Sequence, residues 1–272
     1  MRNHHDDHDD FGGLQRDVAA TRANLDRRRL LRVVTGLGLG VSGLQVLGCD
    51  EQSPTAPTAT TTTTTTTTPT PTSGMCSRIP EETAGPYPGD GSNGPNVLGL
   101  ADVVRNDIRS SFGGLSGRAE GVGLQIVLTI VSASTCEPAA GRAVYLWQCD
   151  REGRYSLYNA GVTNQNYLRG VQQADANGRV TFTSIYPGCY SGRWPHIHFE
   201  VYPSLAAASS VANKSATSQI ALPKDTSDLV YATTGYATSV TNLSRITLAT
   251  DMVFSDGVNL ELATVTGSVE SG

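Results

Sequence analysis

The chain has 272 residues, a formal net charge of -5 and only 17% charged residues, enough for one large or two small domains. No basic stripe and no interleaving of aromatic with basic side chains is present, which excludes a nucleic-acid partner. Frequent glycine (29) and proline (13), with Thr, Val and Tyr in short runs, favour an all-β domain over a helical one.

Residues 1–26 are polar, with His4, His5 and His8 set among Asp6, Asp7, Asp9 and Asp10. They read as a solvated, disordered leader rather than a metal site. Asp26-Arg-Arg-Arg-Leu-Leu31 and the short apolar run from Val33 to Gly48 follow. Charge, then an apolar core, then small residues make an export signal, and the run is short and glycine-rich for a membrane span. The arginine pair resembles a twin-arginine signal. Leu44-Gln-Val-Leu-Gly-Cys49 resembles a lipobox with Cys49 as the acceptor, although Val46 stands where Leu is usual. Residues 1–49 are thus assigned to export, with lipid anchoring through Cys49 left open.

Residues 50–75 hold Pro54, Pro57, Pro69, Pro71 and an unbroken Thr60–Thr68, which can bury no core. They read as a disordered tether. A folded domain is expected over 76–272.

Within that domain Thr83-Ala-Gly-Pro-Tyr-Pro88 is turn-rich. Strands are expected over 123–132, where the apolar run suggests a central position, and over 143–149, 179–185 and 196–202. Asp175-Ala-Asn-Gly178 reads as a hairpin turn, and 218–222, 245–249 and 259–265 as later strands. Short strands with frequent turn signals suggest a β-sandwich. Cys76, Cys136, Cys149 and Cys189 are an even number in an exported domain, so two disulfides are expected, with three connectivities open. No close Cys pair has the spacing of a zinc site.

Pro187-Gly-Cys-Tyr-Ser-Gly-Arg-Trp-Pro-His-Ile-His198 concentrates the chemistry. On a strand His196 and His198 leave the same face and can present two nitrogens to one metal. Two satisfied strand histidines are the competing reading. A nearby phenol and guanidinium, in a chain with only 5 His, favour the metal.

Gly141-x-Ala-Val-x-Leu-Trp-Gln-x-Asp-x-x-Gly-Arg-Tyr155, then Tyr167-Leu-Arg-Gly-Val-Gln172, Ile185-x-Pro-Gly-x-Tyr190 and Gly192-Arg-x-Pro-His-Ile-His198, resemble the intradiol ring-cleavage dioxygenases, the catechol and protocatechuate family. The resemblance runs from about Thr83 to Pro223. It implies a β-sandwich holding non-haem Fe(III) through Tyr155, Tyr190, His196 and His198. It implies catalytic roles for Arg193, Gln219 and Tyr190, and a substrate-pocket role for Tyr87 and Arg193. A catecholic substrate and O2 would be the reactants, and a muconate-type diacid the product.

The donor set suits that metal independently. Ferric iron is a hard cation, phenolate a hard anionic donor, and neutral imidazole completes the set. The export signal and the scarcity of helical pattern between Cys76 and Gly123 depart from the family's usual cytoplasmic form with its helical N-terminal region. They point to an extracellular, cell-surface or periplasmic branch. Homo-oligomer formation is left open. The rival classes are a non-catalytic cell-surface binding module of the same fold and a hydrolase built on another metal.

Overall fold

Five consecutive residues, Ala143–Trp147, are all buried and form the strand from which the rest can be placed, β2. A computed structural model describes residues 76–269. The export-signal, lipobox and tether readings lie outside the described residues.

The other strands are β1 (Gly123–Thr129), β3 (Arg169–Gln173), β4 (Arg179–Ile185), β5 (His196–Tyr202) and β6 (Ala216–Ala221). They form an antiparallel four-stranded sheet in the order β3-β2-β5-β6 and an antiparallel two-stranded sheet, β1-β4. The architecture is the expected all-β sandwich. Two short helices follow, α1 (Lys224–Tyr231) and α2 (Ala237–Leu243). Among the described residues no helix is long and apolar enough to cross a membrane.

The two-residue period of a strand divides β2 and β5 between two cores. Val144, Leu146, Ile197 and Phe199 join Ile126, Val180 and Phe182 between the sheets. Ala143, Tyr145, Trp147 and Tyr202 lie on the opposite face with Val97, Leu98, Phe112 and Tyr155. Loops, not a second sheet, cover that outer face. Residues 103–108 close one side by running beside both sheets: Arg105 N–H donates to Val171 O and Ile108 N–H to Thr183 O.

Several expectations are corrected. β1 is not central: it pairs only with β4, and Ile126 is its one buried residue, the others being half-buried or exposed, with Val127 38% exposed. Its apolar run lines one wall of an open cleft of about 1100 Å³ between the sheets, opposite Ile197, Phe199 and Ile220. The Asp175–Gly178 turn is tight, with Gly178 at φ +74° and its N–H on Asp175 O, but it joins strands of different sheets rather than a hairpin pair.

The C-terminal strands are absent. Residues 245–249 are turns, and within 259–265 only an isolated bridge, Leu262 to Ala221, is strand-like. Here packing decides: Ile246, Leu248 and Ala263 lie against the inter-sheet core from irregular backbone. The helices, unread in the sequence, bury Val230, Tyr231 and Leu243 in the same core.

One disulfide forms, Cys76–Cys136. The expected second one does not: Cys149 and Cys189 are buried free thiols. Their sulfurs face carbonyl oxygens, Cys149 toward Gly188 O at 3.4 Å and Cys189 toward Arg193 O at 3.4 Å. Burial pushes both thiols above their ordinary pKa. No cystine therefore fixes the loop beside Tyr190.

Candidate metal centre

Four of the residues singled out by the sequence converge on the outer face of the four-stranded sheet. Tyr155 Oη lies 3.2 Å from His196 Nε2 and 3.2 Å from His198 Nε2. The two imidazole Nε2 atoms are 3.1 Å apart, and Tyr190 Oη is 3.4 Å from His196 Nε2. Tyr155, His196 and His198 are buried and Tyr190 is half-buried.

Each donor is held by something its sequence neighbourhood supplies. His196 Nδ1 faces Trp194 O at 2.5 Å; a carbonyl only accepts, so Nδ1 carries the proton and Nε2 presents its lone pair. His198 stacks on Trp147, its cross-strand partner, with ring centres 4.9 Å apart and planes 5° from parallel. Tyr155 ends a loop wound on the Asp150 carboxylate. That carboxylate accepts from Glu152 N–H (3.0 Å), Arg154 N–H (2.9 Å), Arg154 Nε (3.0 Å) and the Tyr167 hydroxyl (3.2 Å). Gly153, at φ +84°, lets this loop pass against Tyr190: a Cβ there would sit 3.0 Å from Tyr190 Cβ.

Burial, reinforced by the Arg193 charge, holds the His196 pKa far below its ordinary value; burial, then His196, does the same for His198. Both rings are therefore neutral, the form that binds a metal.

These donors fit a cation. With the His196 tautomer fixed, its Nε2, His198 Nε2 and Tyr155 Oη face one another at 3.1–3.2 Å. His198 Nδ1 is buried without a hydrogen-bond partner. Separations of 3.1–3.4 Å are the edges of a polyhedron whose donors lie about 2.0–2.2 Å from one centre. Among the described residues no group of three His, Cys, Asp or Glu side chains could hold a metal, so the phenols are essential to the set. A hard phenol-and-imidazole set disfavours metals that seek thiolates.

Arg193 and Gln219 stand beside the donors, both fully buried. Gln219 is the β6 residue opposite His198. Its Oε1 accepts from Arg193 Nη2 at 2.7 Å, and its Nε2 donates to Thr83 O at 2.8 Å. Tyr87 stacks on Tyr155 with ring centres 4.9 Å apart and lies 5.3 Å from the Tyr158 ring. The loop carrying Tyr87 is pinned at Pro88 O, which accepts from the Tyr145 hydroxyl and from buried Arg169, each at 2.7 Å.

Two residues escaped the sequence reading. Asp251 binds Arg193 from a segment with no recognisable pattern. Arg169 lay inside a quoted motif, but nothing in the sequence told that it would be fully buried and tie the Tyr87 loop to the Tyr155 loop through Ser156 O (2.9 Å).

A family model described as Dioxygenase matches residues 114–225, the stretch that holds all four donors, Arg193 and Gln219. An intradiol ring-cleavage dioxygenase from Tetranychus urticae is similar at 26% identity over 70% of this chain and 88% of its own, with a TM-score of 0.54. Over this stretch the folded domain is similar to the intradiol ring-cleavage dioxygenases. The dioxygenase Tetur07g02040 is also 26% identical, over 72% of this chain and 89% of its own, with a TM-score of 0.56. No curated protein matches. The donor cluster, Arg193 and Gln219 fall inside the matched stretch, whereas Tyr87 and Asp251 fall outside it.

Proposed function

We propose that this chain is an extracytoplasmic Fe(III) dioxygenase that opens catechol-type rings between the two hydroxyl-bearing carbons. The observation that carries the reading is the convergence of Tyr155, Tyr190, His196 and His198 donor atoms within 3.1–3.4 Å of their neighbours. These four residues would hold the ion. Ferric iron bound there would act as a Lewis acid on the catechol oxygens and make the ring reactive toward O2 without an external reductant. The Cys76–Cys136 disulfide supports an oxidising location.

The remaining roles follow from the chain's own side chains. Tyr190 is the most exposed of the four donors and has the longest separation, so it is the one suited to swing away and take a substrate hydroxyl proton on its Oη. Arg193 is a fixed, buried positive charge that stabilises negative charge developing on the ring oxygens. Gln219, itself held by Thr83 O, keeps Arg193 in place. Tyr87 and Tyr158, half-buried and tilted toward each other, offer flat apolar walls to an aromatic ring.

The test is oxygen consumption by the iron-loaded protein across a panel of substituted catechols, with products weighed after reaction in labelled O2. Both labelled atoms should appear in a ring-opened diacid. Catechol binding without oxygen uptake would instead mark a binding module, and iron-replete protein inert toward every catechol would refute the reading.

A further inference from the structure

Residues 251–254 lie outside the segment matched by the family model, yet they form the wall behind Arg193 and His196. The Asp251 side chain is fully buried. Its Oδ2 accepts from Arg193 Nε at 3.0 Å and from Trp194 N–H at 2.7 Å. Its Oδ1 accepts from Val253 N–H at 2.8 Å and Phe254 N–H at 3.1 Å. Phe254 completes the wall, its ring centre 6.5 Å from that of His196 and 6.0 Å from the Arg193 guanidinium carbon.

We propose that Asp251 is a positioning residue for Arg193: by holding its Nε side it turns Nη2 toward Gln219 and fixes the guanidinium against the donor cluster. This rests on the reading of Arg193 as the charge-stabilising group of a dioxygenase. The physical case has two parts. A buried guanidinium is costly unless paired and hydrogen-bonded, and Asp251 pairs with it at 3.0 Å, both side chains fully buried. A planar guanidinium is also directional, and two partners, Asp251 at Nε and Gln219 at Nη2, define its plane where one would leave it free to rotate. Because Oδ2 also holds Trp194 N–H, the same carboxylate sets the chain direction entering His196.

The experiment is a double-mutant cycle of Asp251→Asn and Arg193→Met in the full chain, read by oxygen uptake with catechol, iron content and the visible tyrosinate-to-iron band. Asp251→Asn should lower kcat about 10- to 100-fold with iron content and band unchanged, the scale expected for an outer partner of a site residue. The KM for catechol should move less than about threefold, since the lost interaction acts after binding. In the Arg193→Met background Asp251→Asn should change kcat no further. A second loss on top of Arg193→Met would make Asp251 merely structural and overturn the proposal, as would an Asp251→Asn protein with wild-type kcat. If Asp251→Asn does not fold, Asp251→Glu keeps the charge and shifts the carboxylate by one methylene. It should lower kcat with the band intact, and wild-type kcat in that variant overturns the proposal. An iron-loaded wild-type chain without oxygen uptake would sink the parent reading before any variant is made, so the two failures are distinguishable.

Discussion

Replacing Lys214 with Met isolates a buried carboxylate two residues beyond His198. Glu200 is fully buried; Lys214 Nζ lies 3.0 Å from its Oε1, and the Tyr202 hydroxyl donates to Oε2 at 2.7 Å. Removing one partner of a buried pair costs about 3–5 kcal/mol. Lys214 is 31% exposed, so solvent screening lowers that toward about 2–3 kcal/mol. The penalty also has a ceiling, because Glu200 can take a proton. Neutralising a carboxyl of ordinary pKa costs about 3.7 kcal/mol at pH 7 and about 1 kcal/mol at pH 5. The neutral acid keeps the Tyr202 hydroxyl, so little further cost arises.

The sign follows from the same residues. Burial raises the Glu200 pKa, and Lys214 opposes the rise, so losing Lys214 raises it further. A carboxyl raised in the fold loses stability as pH climbs above its unfolded value. The Lys214→Met deficit should therefore be about 2–3 kcal/mol at pH 7 and under about 1 kcal/mol at pH 5. Urea unfolding of both proteins at the two pH values measures it. An equal deficit at pH 5 and pH 7, or none at pH 7, would refute the argument.

Further outcomes concern the site and its scaffold. Tyr155→Phe removes the hydroxyl that meets both imidazoles while leaving the ring stacked on Tyr87, so iron content and the visible band should fall with little loss of fold. Retention of both, by metal analysis and absorption, would remove Tyr155 from the donor set. Cys76→Ser with Cys136→Ser opens a crosslink between positions 60 apart. Chain entropy alone then predicts about 4 kcal/mol of destabilisation, readable by urea unfolding with and without reductant; under about 1 kcal/mol would contradict it. Asp150→Ala strips the carboxylate that winds the Tyr155 loop from four donors, and should cost about 3 kcal/mol or more while weakening iron retention. Unchanged iron affinity in that variant would show that the loop holds Tyr155 without it.

The site was more legible than its surroundings, for physical reasons. His196 and His198 announce themselves because strand alternation is a local rule, and β5 obeys it. The ordered run from Gly141 to His198 supplied Tyr155 and Tyr190 through resemblance; spacing alone did not. Asp251 was invisible because its role depends on a loop returning from 58 residues away, which no local pattern encodes. The expected strands over 245–249 and 259–265 failed because strand propensity yields to tertiary packing: Ile246, Leu248 and Ala263 reach the core from irregular backbone. β1 shows the converse: an apolar run marks contact with apolar surroundings, here the open cleft, and not a central place in a sheet. Counting cysteines assumed that parity reflects export, whereas Cys149 and Cys189 are fully buried and close no loop.

Strand β5 shares its residues between two tasks, with His196 and His198 toward the donors and Ile197 and Phe199 toward the space between the sheets. A one-residue insertion or deletion before Pro195 can be absorbed by the loop, but one inside β5 exchanges the two faces for every residue after it. Imidazole would then enter the hydrocarbon interior as isoleucine or phenylalanine replaced it among the donors. Length variation is thereby barred from this strand, and diversification of the chain is channelled into the loops that roof the outer face, where Tyr87 and Tyr158 reside.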